Sequence, residues 1–218
     1  LRSEIAQKHA RGKLSNGEAT NLARAVAEAA TPHAEALGIR LERPCDGGES
    51  ELATVVGHPV ALRRAVTALV DPRVRSVTVI DALPAVIEWH RRGLLPVSAR
   101  LTDDPRATLV QGDFFALMRR DPEAPARYDA ILLDVDHSPR HQLDPSHADL
   151  YTVDGMRALA RHLKPDGVFA LWSDDPPDEE FLACASVVFG SVAAHIVNFD
   201  NPLTAGVSSN TVYVATHH

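Results

Sequence analysis

Six aspartates in this sequence recur at one kind of place, just after a short apolar run. Asp81 closes VTVID, Asp113 follows LVQG, Asp134 and Asp136 close AILLDVD, and Asp174 and Asp175 follow FALWS. Carboxylates so placed can accept hydrogen bonds from ribose hydroxyls or an adenine amine, hold a cationic group, or take a proton. Aspartate is also a good turn residue and helix N-cap, which is the alternative reading of each position taken alone. The runs before them are short and rich in Val, Ile and Leu, the composition of strands buried on both faces of a parallel sheet. In such sheets ligands bind beyond the carboxyl ends of the strands. The six carboxylates are therefore expected along one rim.

The spacing predicts the elements that must position this rim. Strands are expected near 76–81, 107–111, 129–135, 167–172, 192–199 and 210–216, and helices near 84–93, 113–119, 153–163 and 178–189. Upstream, 51–57 reads as a strand, and Pro59 opens a helix to residue 70 with Val60, Leu62, Ala65, Val66 and Leu69 at helical spacing. Strand 51–57 is expected beside 76–81 and parallel to it, through a right-handed crossover. An Ala-rich helical pattern over 20–37, broken at Pro32, closes at Gly38. Residues 39–44 read as a strand close enough to form an antiparallel hairpin with 51–57. NPLTAGVSSN reads as a long loop inside an antiparallel C-terminal edge pair.

The expected fold class is α/β, a three-layer Rossmann-like sheet, mostly parallel, with an N-terminal helix and hairpin added. Residues 1–50 form an appendage and 51–218 the main domain. The appendage has too few apolar residues for a core of its own, so it is expected to pack on the sheet edge or to join two copies as a homodimer.

Composition narrows the function classes. A hydrophobic content of 45% is ample for a core, while a net charge of −7 and a pI near 5.9 argue against a nucleic-acid surface and would not repel a polyamine. Cys45 and Cys184 lie far apart and form no metal pattern, which suits a reducing, cytoplasmic setting. No apolar run reaches the roughly 18 residues of a membrane span. The first residues, LRSEIAQKHARGK, lack a signal-peptide core, and a start on Leu1 leads one to expect a fragment, a processed form or an engineered chain. His217 and His218 read as the remnant of an affinity tag. His137, His141 and His147, with Asp136 and Asp144, are residue types that ligate zinc, but their spacing matches no standard site and no metal is expected. Trp89 and Trp172 read as core or pocket-wall aromatics, and Arg91, Arg92, Arg119 and Arg120 as solvated helix ends.

Residues 71–218 resemble the spermidine synthase-like branch of the class I methyltransferase superfold. The resemblance rests on DPRVRSVTVIDALPAVIEWHRRGLLP, LVQGDFFAL, YDAILLDVDHSPRH and LARHLKPDGVFALWSDDPPD, in that order. It implies a donor nucleoside, decarboxylated S-adenosylmethionine or S-adenosylmethionine, and a small cationic amine as acceptor. By motif position, Asp81 would hold the ribose, Gly112 and Asp113 would meet the adenine amine, and Asp134 would face the attacking amine. Asp136 is the nearest residue to the family's second acid, at an altered spacing.

One turn departs from that pattern. Where the superfold has a Gly-rich turn after its first strand, this chain keeps Gly57 and then places His58, Pro59, Val60, Ala61 and Leu62. Proline removes an amide donor, and the side chains fill space that a nucleoside would use. The first third also resembles the start of a sensor histidine kinase ATP-binding domain, through ATNLARAVAEAATPHAEALGIRLERP and VVGHPVALRRAVTALVD, but with Ala68 and Pro72 where that family carries Asn. The chain thus reads as a chimera with a seam near Val70 and Asp71. The expected functions are a transferase with a weakened nucleoside pocket, a non-catalytic natural or engineered scaffold, and, last, a nucleotide-binding kinase fragment. Replacing 58–62 with a glycine-rich turn is expected to raise affinity for methylthioadenosine, measured by isothermal titration, before it raises any turnover. An unchanged dissociation constant would show that this turn is not the limit.

Overall fold

The protein was analysed as a computed structural model that describes residues 51–56, 74–95, 98–122, 128–201 and 206–217. The expectations placed on 20–44, on the turn at 57–62, on the helix at 59–70 and on Cys45 lie outside the described residues.

Seven strands form one sheet in the order β3-β2-β1-β4-β5-β7-β6. They are β1 (Glu51–Val56), β2 (Ser76–Asp81), β3 (Ala107–Gln111), β4 (Tyr128–Asp134), β5 (Leu163–Ser173), β6 (Ser191–Asn201) and β7 (Gly206–Thr216). Strands β3, β2, β1, β4 and β5 are parallel, and β7 and β6 add an antiparallel edge. The α/β class and the parallel neighbourhood of 51–57 and 76–81 are as expected. Strand β1 is bonded on one side to β2 (Glu51 opposite Ser76 to Val55 opposite Ile80) and on the other to β4 (Leu52 opposite Ala130 to Val56 opposite Asp134), which makes it a central strand of the sheet.

Helices α1 (Pro84–Arg91) and α2 (Ser98–Thr102) pack against β2 and β3, whereas α3 (Phe114–Arg119), α4 (Val153–Ala160) and α5 (Glu179–Ser186) contribute to the large core with β4, β5 and β7. Strand β5 serves both faces: Phe169 and Leu171 join that large core, and Trp172 joins Val212 and Val214 in a smaller one. Trp172 is thus a core residue as expected, whereas Trp89 is 44% exposed on α1. The helix α1 buries Val86, Ile87 and His90, and Trp89 lies at the edge of that face. Gly93, at φ +68, closes α1, donating to the His90 carbonyl while Leu94 donates to Trp89.

Two further differences lie in the loops. The expected 201–210 loop is largely strand, since β6 and β7 stay paired out to Asn201 opposite Gly206. Pairing satisfies backbone groups that a long loop would leave to water. Residues Pro145–Tyr151, not anticipated as regular structure, form a 3₁₀ helix capped by Asp144, whose carboxylate accepts from Ser146 N.

This 3₁₀ helix lies tight against the start of α4. A Cβ on Gly155 would come within 2.6 Å of the Leu150 Cα and carbonyl, whereas one on Gly112 would make ordinary contacts with Ile80 Cγ2 at 3.6 Å and Val110 Cγ1 at 4.0 Å. Gly155→Ala is therefore expected to destabilise the fold by about 1–3 kcal/mol, the usual cost of overpacking, and Gly112→Ala by much less. Urea unfolding of both variants checks this; equal midpoints would contradict the close approach.

Candidate active site at the carboxyl ends of the parallel strands

The parallel strands all point their carboxyl ends to one rim, and strand order reverses between β1 and β4. Ligands of open α/β sheets bind at such a reversal. Asp134 ends β4 there, directly opposite Val56 at the end of β1, and is 1% exposed. Asp81 ends β2 on the other side of β1 and is also 1% exposed. The two acids flank the carboxyl end of the central strand.

Asp81 is held by its own turn. Its Oδ1 accepts from Leu83 N at 2.8 Å, which leads the chain into α1. Its Oδ2 is buried and has no hydrogen-bond partner among the described residues. Burial raises the carboxyl above the ordinary aspartate value, and the Leu83 amide offsets only part of that. A buried carboxylate oxygen without a donor is costly, and a ribose hydroxyl is a donor of the right kind. Next along the rim, Gly112 N donates to the Asp81 carbonyl at 3.0 Å, tying the end of β3 to the end of β2. Asp113 then caps α3, accepting from Ala116 N at 3.0 Å, and is exposed to solvent. Gly57 lies outside the described residues.

Asp136 is placed differently from the other rim acids. It is 0% exposed, and its carboxylate is filled by donors from the loop that follows it. Oδ1 accepts from Leu143 N at 2.7 Å and from His147 Nδ1 at 2.8 Å, and Oδ2 accepts from the Tyr151 hydroxyl at 2.7 Å. The His147 ring stacks on Phe115, with centroids 3.7 Å apart. Burial, with Asp136 beside it, holds the Tyr151 phenol well above its ordinary value, so it remains a donor. Asp136 thus pins the 3₁₀ helix and its loop to the core.

The outer wall of the rim is built where the loop after β4 meets the loop after β5. Asp174 N donates to the His137 carbonyl at 2.7 Å. The side chains then pair acid to base: Asp174 with His137 at 3.1 Å, Asp175 with His141 at 2.6 Å, and Asp178 with Arg140 at 2.6 Å. Asn210 fixes Asp174 from β7 through Nδ2 at 2.9 Å. The Arg140 guanidinium lowers the Asp178 carboxyl, and the Ser138 hydroxyl followed by His141 lowers that of Asp175. Ser138, Arg140, Asp175, Pro176, Pro177 and Asp178 line a cleft of about 210 Å³.

Among the expected site residues, the structure brings Asp81 and Asp134 to the two sides of β1 and puts Gly112 and Asp113 beside Asp81. It turns Asp136 into the protein and gives Asp174 and Asp175 basic partners. Arg140, Ser138, Tyr151 and Asn210 were not anticipated. Only the run DHSPRH, dense in hydrogen-bonding types, hinted at the first two. Among the described residues, no group of His, Cys, Asp and Glu converges as a metal site would.

Comparison with known proteins sets this rim in a family. Residues 46–202 match the family described as spermine/spermidine synthase domain. That match crosses Val70 and Asp71 without a break, so it lends no support to a seam there or to a kinase segment after residue 45. A polyamine aminopropyltransferase of Mycobacterium tuberculosis (strain H37Rv) is 30% identical over 131 residues, covering 60% of this chain and 24% of that protein. The chain thus spans about a quarter of that relative's length. Crystal structures of a spermidine synthase from Thermotoga maritima (TM-score 0.56, 24% identity, 79% of this chain and 55% of that one) and of a probable spermidine synthase from Corynebacterium glutamicum (0.60, 20%, 89% and 63%) share the fold.

The buried carboxylate gives a direct test of the loop anchor. Tyr151→Phe removes one donor from Asp136 and is expected to cost about 1–3 kcal/mol of stability, the penalty for leaving a buried acceptor short. Thermal and urea unfolding measure it. A variant as stable as the parent would show that Tyr151 does not anchor this loop.

Proposed function

The chain belongs to the spermine/spermidine synthase domain family, and on that premise we propose that it is a spermidine synthase-like transferase with a weakened nucleoside grip. The donor is decarboxylated S-adenosylmethionine or S-adenosylmethionine, and the acceptor is a small cationic amine. The observation that carries this reading is the pair of buried acids, Asp81 and Asp134, on either side of the carboxyl end of β1. The unmatched Oδ2 of Asp81 suits a ribose hydroxyl, and Asp113 one strand further suits an adenine amine. Asp134, at the reversal of strand order, suits the attacking amine.

The sulfonium of such a donor supplies an electrophilic carbon and departs as a neutral thioether, which calls for no Lewis acid. The protein must then hold the nucleoside, align the amine and take its proton. Asp134 would accept the amine proton and orient the nitrogen, and alignment would account for most of the acceleration. Asp136 would act through the loop it anchors rather than on the amine, because its carboxylate already accepts three hydrogen bonds. The glycine-poor turn at 57–62 would loosen the nucleoside and slow turnover. A non-catalytic scaffold is the second reading, and that same turn is the feature that favours it. The setting would be cytoplasmic, with neither nucleic acid nor membrane as partner, and a homodimer is the expected assembly.

Asp81→Ala should weaken methylthioadenosine binding by roughly 1.5–3 kcal/mol, the scale of a hydrogen bond to a charged group. An unchanged dissociation constant in titration calorimetry would remove Asp81 from the site. Product formation from decarboxylated S-adenosylmethionine and putrescine, with Asp134→Asn as control, is expected to be slow and lost in the control. Binding of ATP with no binding of methylthioadenosine would instead point to a kinase-like fragment, and binding of neither to a scaffold.

A further inference from the structure

A buried histidine ties the first two helices together, and the preceding reading does not use it. His90, near the end of α1, is 1% exposed, and so is Ser98 at the start of α2. Their side chains meet at 3.2 Å, His90 Nδ1 to Ser98 Oγ. Ser98 is itself fixed by Leu95: Leu95 N donates to Ser98 Oγ at 3.1 Å, and Ser98 N donates to the Leu95 carbonyl at 2.9 Å. At the other end of α1, Leu83 N donates to Asp81 Oδ1 at 2.8 Å. The helix is thus pinned at its start to a rim acid and near its end to α2.

The surroundings suit a neutral ring. His90 Nε2 is buried and has no hydrogen-bond partner among the described residues. In one tautomer Nδ1–H donates to Ser98 Oγ, and in the other the Ser98 hydroxyl donates to Nδ1. An imidazolium would add a charge taken out of water and an Nε2–H without an acceptor. Helix α1 packs on β2, β3 and α2, and the ionisable groups of these elements offer no compensation. Glu88 and Arg91 of α1, Arg92 after it, Arg100 of α2 and Asp103 after it are exposed. Asp104 is paired with Arg106 at 2.8 Å, Asp81 of β2 is bonded to Leu83, and β3 carries no ionisable side chain. Burial pushes the His90 imidazole below its ordinary value.

We infer that the His90–Ser98 contact is a pH-sensitive lock between α1 and α2, closed on the neutral imidazole and released when the ring takes a second proton. Once the helices part, the ring meets water and protonates near its ordinary value of about 6.5. The folded value lies lower. The lock therefore contributes its full stability above about pH 6.5 and loses it as pH falls from there through the folded value. Asp81 works in the opposite sense. Burial raises its carboxyl, so its contribution is present at low pH and lost as pH rises through the raised value. Acid thus loosens the α2 end of α1 while it relieves the Asp81 end.

The test is amide hydrogen exchange of the whole chain across pH, joined to NMR titration of the His90 ring. The His90 midpoint is expected below about 6.5. Corrected for the intrinsic exchange rate, opening of α1 and α2 should rise by up to about tenfold per pH unit below that point, the slope of one proton. Strands β5 and β7 should stay protected over the same range. His90→Phe fills the site without a titrating group and should lose the slope. Ser98→Ala should keep the slope and speed opening at neutral pH by up to about tenfold, the scale of one hydrogen bond. A His90 midpoint at or above the ordinary value, an acid slope that persists in His90→Phe, or opening that spreads equally over β5 and β7 would overturn the lock. If His90→Phe does not fold, the parent decides alone. A low midpoint with a one-proton slope confined to α1 and α2 supports the lock, and any other result overturns it.

Discussion

The site depends on hydrogen bonding along both edges of β1. Parallel pairing with β2 and β4 puts the last residues of all three strands at one level, so Asp81 and Asp134 end up on either side of Val56. A one-residue slip in either ladder would turn these side chains to the other face of the sheet. Buried apolar partners hold the register, with Val77 and Val79 on β2 and Ile131 and Leu133 on β4 almost fully enclosed. Packing on both faces of the sheet thus becomes precision at the rim.

The rim divides its carboxylates between two uses. Asp136, Asp174, Asp175 and Asp178 are matched by donors within the protein, and they build and brace the outer loops. Asp81 keeps one buried oxygen unmatched among the described residues, with its carboxyl raised by burial. A protein tolerates such a group when a ligand completes it. Carboxylates at the outer wall thus serve the architecture, and the one with an open oxygen lies beside the central strand.

Asp136 shows how a buried charge can organise a loop. A carboxylate removed from water is costly unless its lone pairs are filled, and three donors spread over residues 143–151 fill them. The same loop carries Ser138, Arg140 and His141, so the anchored segment positions the cleft against α5 and β7. Stacking of His147 on Phe115 extends the anchor to α3.

Among the described residues, the seven strands and helices α1, α3, α4 and α5 were legible in the sequence, because Val- and Ile-rich runs, Pro84 and the aspartate caps act through local physics, whereas α2 and the 3₁₀ helix were not. The rim itself was legible too, since residues that end parallel strands must share an edge. Partnership was not. Asp136 looks like its neighbours in the sequence, yet it is buried by residues up to fifteen positions later, and His137 and His141 meet acids 37 and 34 positions away. The extent of the β6–β7 ladder and the close approach at Gly155 were likewise set by contacts between distant segments. Periodicity and turn chemistry are properties of neighbouring residues, so the sequence alone determined the strands and where their acids end. Which carboxylate is satisfied and which stays open depends on groups brought together through space, and only the tertiary structure decided that.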